Sequence, residues 1–168
     1  MSDASAAGRP LHRPIDSRLA FHAALHEAFG AMAAAGCREA FLVDEDFADW
    51  PLGERAVVDA LVQWAGPQRR LVVVARRFDE VVRRHPRWVD WRRTWSHVVE
   101  CRAFEDTPSA ALPGLLLAAG CVAVHLADPL RHRGVLSRDP ADLLQRREEV
   151  DALLQRTVDS FASTLLGL

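Results

Sequence analysis

The sequence predicts an α/β fold, a mixed β-sheet of five or more strands flanked by helices. Three observations predict it. Helical and strand periodicities alternate through the first half of the chain in the order α-β-α-β. The runs EAFLVD and RRLVVVA are apolar almost throughout, as strands covered on both faces are. Two apolar runs then flank Ala118-Ala119-Gly120 like the arms of a β-hairpin, so part of the sheet is antiparallel. At 168 residues the chain is long enough for one domain with a sizeable core.

The elements follow in order. Residues 1–16 are small, polar and Pro-containing, which predicts a disordered leader, with residues 17–168 as a single α/β domain. Ser17 is a suitable N-cap for a helix over 18–35, where Leu19, Phe21, Leu25, Phe29 and Met32 recur at helical spacing and Gly36 ends the run. A strand ending at Asp44 leads into the acidic loop EDFADWPLG. Residues 54–65 read as a second helix, stopped by Gly66-Pro67, and residues 69–75 as a second strand. A short helix over 78–84 precedes another that starts at Pro86 and runs to about Trp95. Residues 97–104 alternate imperfectly as a third strand, and Thr107-Pro108-Ser109 is a turn. After the hairpin comes an irregular loop, DPLRHRGVLSRDP. A last helix then opens with Asp139 as N-cap and Pro140 as its first residue, and continues to about Phe161.

Composition excludes several chemistries. The net charge is −2, so no global field favours nucleic acid or membrane. The chain has no Lys, no Asn and no Tyr, and Ile15 is its one isoleucine. These residues use AT-rich codons, so the pattern fits a high-GC, bacterial genome. Arg is then the default cation. Without Lys there is no GxxxxGK[ST] phosphate loop, no Schiff base and no Ser–Lys pair. Cys37, Cys101 and Cys121 form no framework spacing and sit beside apolar runs, as reduced cytoplasmic thiols do. No apolar run reaches the roughly 20 residues that span a bilayer. A cytoplasmic protein without membrane attachment is expected, with no cofactor and no bound metal.

The most unusual segment runs from Arg76 to Arg102. It holds eight of the 21 arginines and three of the five tryptophans. On a helix from Pro86, Trp88, Trp91 and Trp95 share one face, which predicts a packing stripe with the arginines in solvent. The sharper reading is an anion or nucleic-acid surface over 83–97, built from Arg84, Arg87, Trp91, Arg92, Arg93 and His97, with Arg on phosphates and Trp stacked on a base. Acidic residues leave this window an excess of only four positive charges, a modest patch.

Two further constellations are weaker. Asp44 and Asp46 end an apolar strand in a D-x-D pattern that resembles the haloacid dehalogenase-like phosphatases. That likeness implies a nucleophilic Asp and magnesium, but Phe47-Ala48 follows where small polar residues are the rule. His22 and His26 lie four apart on a helix, a spacing able to share a metal, with no third ligand assignable. His97 and His125 lie in apolar strand contexts and read as structural.

The order strand, tight hairpin, strand, irregular loop and closing helix over 112–161 resembles the phospholipase D-like fold, and residues 18–75 are similar to the start of such a half-domain. Active members carry H-x-K-x4-D near the hairpin. Here that region reads Leu112-Pro113-Gly114-Leu115-Leu116-Leu117-Ala118-Ala119-Gly120, without His, Lys or Asp. The resemblance therefore implies the fold without the phosphoryl-transfer activity, and no catalytic residue carries over. It also implies pairing of half-domains, here as a homodimer. The chain is similar, too, to small uncharacterised proteobacterial proteins with a Trp/Arg-rich middle and an end like Leu166-Gly167-Leu168. The function expected is a non-catalytic domain that binds a protein partner. A nucleic-acid or anion-binding module, and a metal-dependent phosphatase at Asp44 and Asp46, are the alternatives.

Overall fold

The structure, a computed structural model, describes residues 10–104 and 110–161. An edge strand β1 (His12–Ile15) leads into α1 (Arg18–Ala35). Then come β2 (Glu39–Asp44), α2 (Arg55–Trp64), β3 (Arg70–Ala75), α3 (Asp79–Arg84), α4 (Pro86–Thr94) and β4 (Val99–Phe104). The second half holds β5 (Gly114–Ala118), β6 (Val122–Asp128), β7 (Arg133–Ser137), α5 (Pro140–Leu154) and β8 (Thr157–Asp159).

The eight strands of the described residues join one sheet in the order β1-β7-β6-β5-β2-β3-β4-β8. The β2, β3 and β4 strands are parallel, joined by helical crossovers, and every other pairing is antiparallel. The predicted mixed sheet flanked by helices is therefore the fold observed.

The pleat divides the core in two. On one face Ala40, Leu42, Leu71 and Val73 meet Phe21, Leu25, Phe29 and Met32 of α1, and Val57, Leu61 and Trp64 of α2. On the other, Phe41, Val43, Val72, Val74, Leu115 and Leu117 meet Leu143 and Val150 of α5. Strands with both faces covered need apolar residues at successive positions, which is why β2 and β3 carry no polar alternation.

Local chemistry explains the helix ends. Ser17 Oγ accepts the Ala20 N–H at 3.0 Å, and Gly36 closes α1 in the left-handed region at φ 63°. Asp139 caps α5 by accepting the Ala141 N–H at 3.0 Å.

Three strands escape the sequence reading. The leader expected through residue 16 gives way at His12–Ile15, which pairs with β7 antiparallel; residues 1–9 lie outside the described residues. The expected irregular loop contains β7, whose Gly134 is required because a Cβ there would lie 1.9 Å from the His125 carbonyl oxygen. The last helix ends at Leu154 rather than near Phe161, and Thr157–Asp159 turns back to pair with β4. The turn expected at Thr107-Pro108-Ser109 and the Leu166-Gly167-Leu168 end lie outside the described residues.

Candidate anion-binding site

The carboxyl ends of β2 and β3 point toward the loop 45–54, and α1 and α2 both begin at this edge of the sheet. Ligand sites of open α/β sheets favour this edge. The loop is held by its own acids. Asp44 Oδ2 accepts the N–H groups of Phe47 at 2.8 Å and Asp46 at 3.3 Å, and Asp46 Oδ1 accepts the Ala48 N–H at 3.0 Å. These bonds fix a tight turn in which Phe47 adopts φ 59°.

Burial pushes the Asp44 carboxyl up to about 6, against the pull of its two backbone donors. The Trp50 indole N–H adds to that pull without closing a hydrogen bond of normal geometry. Asp44 and Asp46 thus serve the loop. Among the described residues, neither belongs to a set of three metal-capable side chains.

His85 locks the loop from below. Its ring Nε2 lies 2.8 Å from the Phe47 carbonyl oxygen, and its Nδ1 accepts the Gly53 N–H at 3.1 Å. An Nδ1 that accepts and an Nε2 that donates define the neutral ring with its proton on Nε2. Burial also holds His85 below the usual histidine range, with Arg84 adding to the effect.

Beside this loop lies an open cavity of about 600 Å³. It receives Arg18, the first residue of α1; Arg55, the first of α2; and Arg84 and Arg87 from α3 and α4. Neither α1 nor α2 has an acidic residue in its first turn. The N-cap of α2, Glu54, is engaged by His26 at 2.7 Å. Arg18 pairs with Asp49 at 2.5 Å and Arg84 with Glu80 at 2.6 Å. Arg87 reaches only the Gly53 carbonyl at 3.4 Å, and Arg55 has no ion-pair partner among the described residues. Cations at helix N-termini oppose the helix dipole, at a cost of roughly 0.3–1 kcal/mol each. Two such ends, both opening on arginine and both meeting one cavity, form a place suited to an anion.

The structure distributes the residues singled out in the sequence. Arg84 and Arg87 line this cavity. Arg92 and His97 line a different one, at the opposite edge of the sheet. Arg93 points to solvent and pairs with Asp90 at 3.5 Å. Trp91 is buried beside Trp88, with ring centroids 6.2 Å apart, and offers no face to a base; Trp95, just past the end of α4, is only partly buried, and Arg92 is buried with the tryptophans where the arginines were expected in solvent. His22 and His26 turn to separate partners, the Asp49 carbonyl at 2.6 Å and Glu54 at 2.7 Å. His125 contacts Arg146 at 3.0 Å.

Arg18 and Arg55 also line this cavity and carry no expectation from the sequence, while His22, read there only as half of a metal-sharing pair, lines it too. The available signal was an arginine opening each of two helices with no acid behind it.

No protein-family model matches the sequence, and no curated protein matches it significantly. Solved structures do. TrmBL2, described as an archaeal chromatin protein that shows a novel mode of DNA binding, aligns with a TM-score of 0.61 at 11% identity over 90% of this chain and 54% of that one. NucT from Helicobacter pylori aligns at 0.55 and 8% identity, over 89% of this chain and 98% of NucT. Phosphatidylserine synthase of Haemophilus influenzae Rd KW20 aligns at 0.53 and 12% identity, over 86% of this chain and 38% of the enzyme. This chain thus spans about half the length of TrmBL2. At such identities the likeness is one of fold, and the fold is that of a phospholipase D-like half-domain.

Proposed function

We propose that this chain is a non-catalytic phospholipase D-like domain that binds nucleic acid through the phosphate backbone, with Arg18, Arg55, Arg84 and Arg87 as the contacts. One observation carries the reading: two helix N-termini, each opening on arginine, face one cavity. Arg18 is partly offset by its pair with Asp49, but Arg55 has no ion-pair partner among the described residues, and a local cost of that kind is a mark of function. The DNA binding described for TrmBL2 supports the same direction. That the stretch approaching and forming the hairpin has neither His nor Lys favours binding over phosphoryl transfer.

The burial of Trp88 and Trp91 alters the mode of binding. Without base stacking, single strands gain no advantage over duplex, and sequence is not read.

Fluorescence anisotropy of a labelled 20-mer, as single strand and as duplex, tests this. The expected result is comparable binding of both at low salt, weakening with a log–log salt slope of about −2 to −4 for two to four phosphates. Arg55→Ala and Arg87→Ala should each reduce the slope by about one. No binding at low salt, or binding unchanged in the double variant, overturns the proposal. Pairing of two copies is a separate proposal, resting on the resemblance to a fold whose half-domains pack together. Light scattering that gives a monomer overturns it.

A further inference from the structure

We propose a second ligand site, for a small phosphate ester, at the amino-terminal edge of the sheet, in the cavity that Arg69 and Arg92 enter between the starts of β3 and β4. This cavity measures about 640 Å³ and is separate from the one assigned to the nucleic-acid backbone. Arg70, Ser96, His97 and Cys101 also line it, as do the acids Glu100 and Asp159.

Arg92 carries the argument. It is 5% exposed, and its Nε–H is buried with no hydrogen-bond partner among the described residues. One Nη donates to the Phe161 carbonyl, and the guanidinium lies over the Phe161 ring, 4.3 Å from its centroid. Among the described residues no carboxylate pairs with it. The neighbouring Cys101 thiol offers no countercharge, because burial pushes it up to about 12. A buried guanidinium without a counter-ion is costly, and an unmet buried N–H adds to the cost.

The acids nearby are already committed. Glu100 is held by Arg70 at 3.1 Å and by Arg102 at 2.7 Å, and Asp159 by Arg102 at 3.0 Å. Arg70 is satisfied by Glu39 and Glu100. Arg69 spends its Nε–H on the Trp64 carbonyl at 3.1 Å and has no carboxylate partner among the described residues. Arg69 and Arg92 therefore line the cavity without a carboxylate partner among the described residues. A phosphate monoester dianion matches both, whereas a monocarboxylate matches one. Guanidinium forks suit phosphate oxygens, and Ser96 and His97 stand exposed at the rim as further donors. The volume exceeds what a bare phosphate fills and leaves room for the esterified group.

The test uses the full chain with inorganic phosphate and glycerol 3-phosphate as probes, and acetate at equal ionic strength as control. Arginine side-chain NMR reads the Arg92 Nε–H directly. The expected result is a saturable shift of that resonance with both phosphates and not with acetate. Arg69→Met, at a more exposed position, should weaken phosphate binding by about tenfold, the effect of one charge-assisted hydrogen bond. Arg55→Ala with Arg87→Ala should leave the titration unchanged, which separates this site from the proposed backbone site. Arg92→Met, if folded, should abolish binding. A resonance that does not move, moves equally with acetate, or titrates normally in Arg69→Met overturns the proposal.

Discussion

Glu45 and Arg76, the first residues beyond β2 and β3, form a two-pronged ion pair, Nε to Oε2 at 2.6 Å and Nη2 to Oε1 at 3.0 Å. The same carboxylate accepts the Leu112 N–H at 2.7 Å, and Arg76 also donates to the Ala110 carbonyl at 3.1 Å. One pair thus ties two parallel strands to the chain approaching β5. Glu45→Ala should speed amide exchange at Leu112 while leaving Leu42, in the middle of β2, protected. Hydrogen exchange resolved by residue checks this.

Asp44 makes stability fall as pH rises. Its folded carboxyl titrates at about 6 against an ordinary 3.8, so between those values the folded state holds the proton more tightly. The stabilisation present below about 3.8 is lost as pH climbs to 6. That distance corresponds to about 3 kcal/mol. Asp44→Asn, which keeps an acceptor for the Phe47 N–H, should raise stability at pH 7.5 by up to about that amount and by less at pH 4.5. Urea denaturation at the two values provides the measurement.

His85 acts in the opposite sense. Its folded pKa is depressed, so stability is full above the ordinary histidine value of 6.5 and declines as pH falls below it. Below that value the unfolded chain takes a proton that the folded ring refuses. His85→Ala should cost about 2–4 kcal/mol at neutral pH, by stranding the Phe47 carbonyl and Gly53 N–H. It should also flatten the acid limb. In Asp44→Asn that limb should steepen, because the opposing slope is gone.

Trp50, Trp64, Trp88 and Trp91 are buried, and Trp95 is partly exposed. Acrylamide should therefore quench the native fluorescence weakly, and saturating oligonucleotide should leave the emission maximum unmoved. A strong quench on DNA addition would place an indole, Trp50 at the cavity wall or the partly exposed Trp95, against the nucleic acid. Trp88→Ala, at a fully buried site, should cost about 3–5 kcal/mol of stability.

The thiols should be inert in the folded protein. Burial pushes Cys37 to about 11 and Cys101 to about 12, and raises Cys121 as well. Thiolate is the reactive form, so Ellman's reagent at pH 8 should label the native chain slowly and the urea-unfolded chain at once.

The sequence made legible the elements whose signals are strong and redundant. For α1 a cap, an apolar stripe and a terminal glycine agree, and β2 and β3 are continuous apolar runs. It hid β1, β7 and β8, which are short and partly exposed, and two of which begin or end the sheet. β1 and β8 pair with strands more than 50 residues away in sequence, as Arg102 opposite Asp159 does, and no local pattern records such pairing. β7 also pairs with its neighbour β6, but a register shift between Leu126 and Asp128 breaks the alternation that would have shown a hairpin. The site was half legible for a similar reason. Arg84 and Arg87 fall in an arginine-dense segment. Arg18 and Arg55 stand far apart in the chain, and only the parallel crossovers bring their helix ends together.

The two outermost strands belong to the two ends of the described chain, β1 and β8. Seven strand spacings separate them, roughly 34 Å at about 4.8 Å per spacing. A pull applied between these ends would load both edges in a peeling geometry, breaking a ladder of four residues at one side and of three at the other, one rung at a time. The domain should therefore yield at low force, shedding its margins while the parallel centre stays intact.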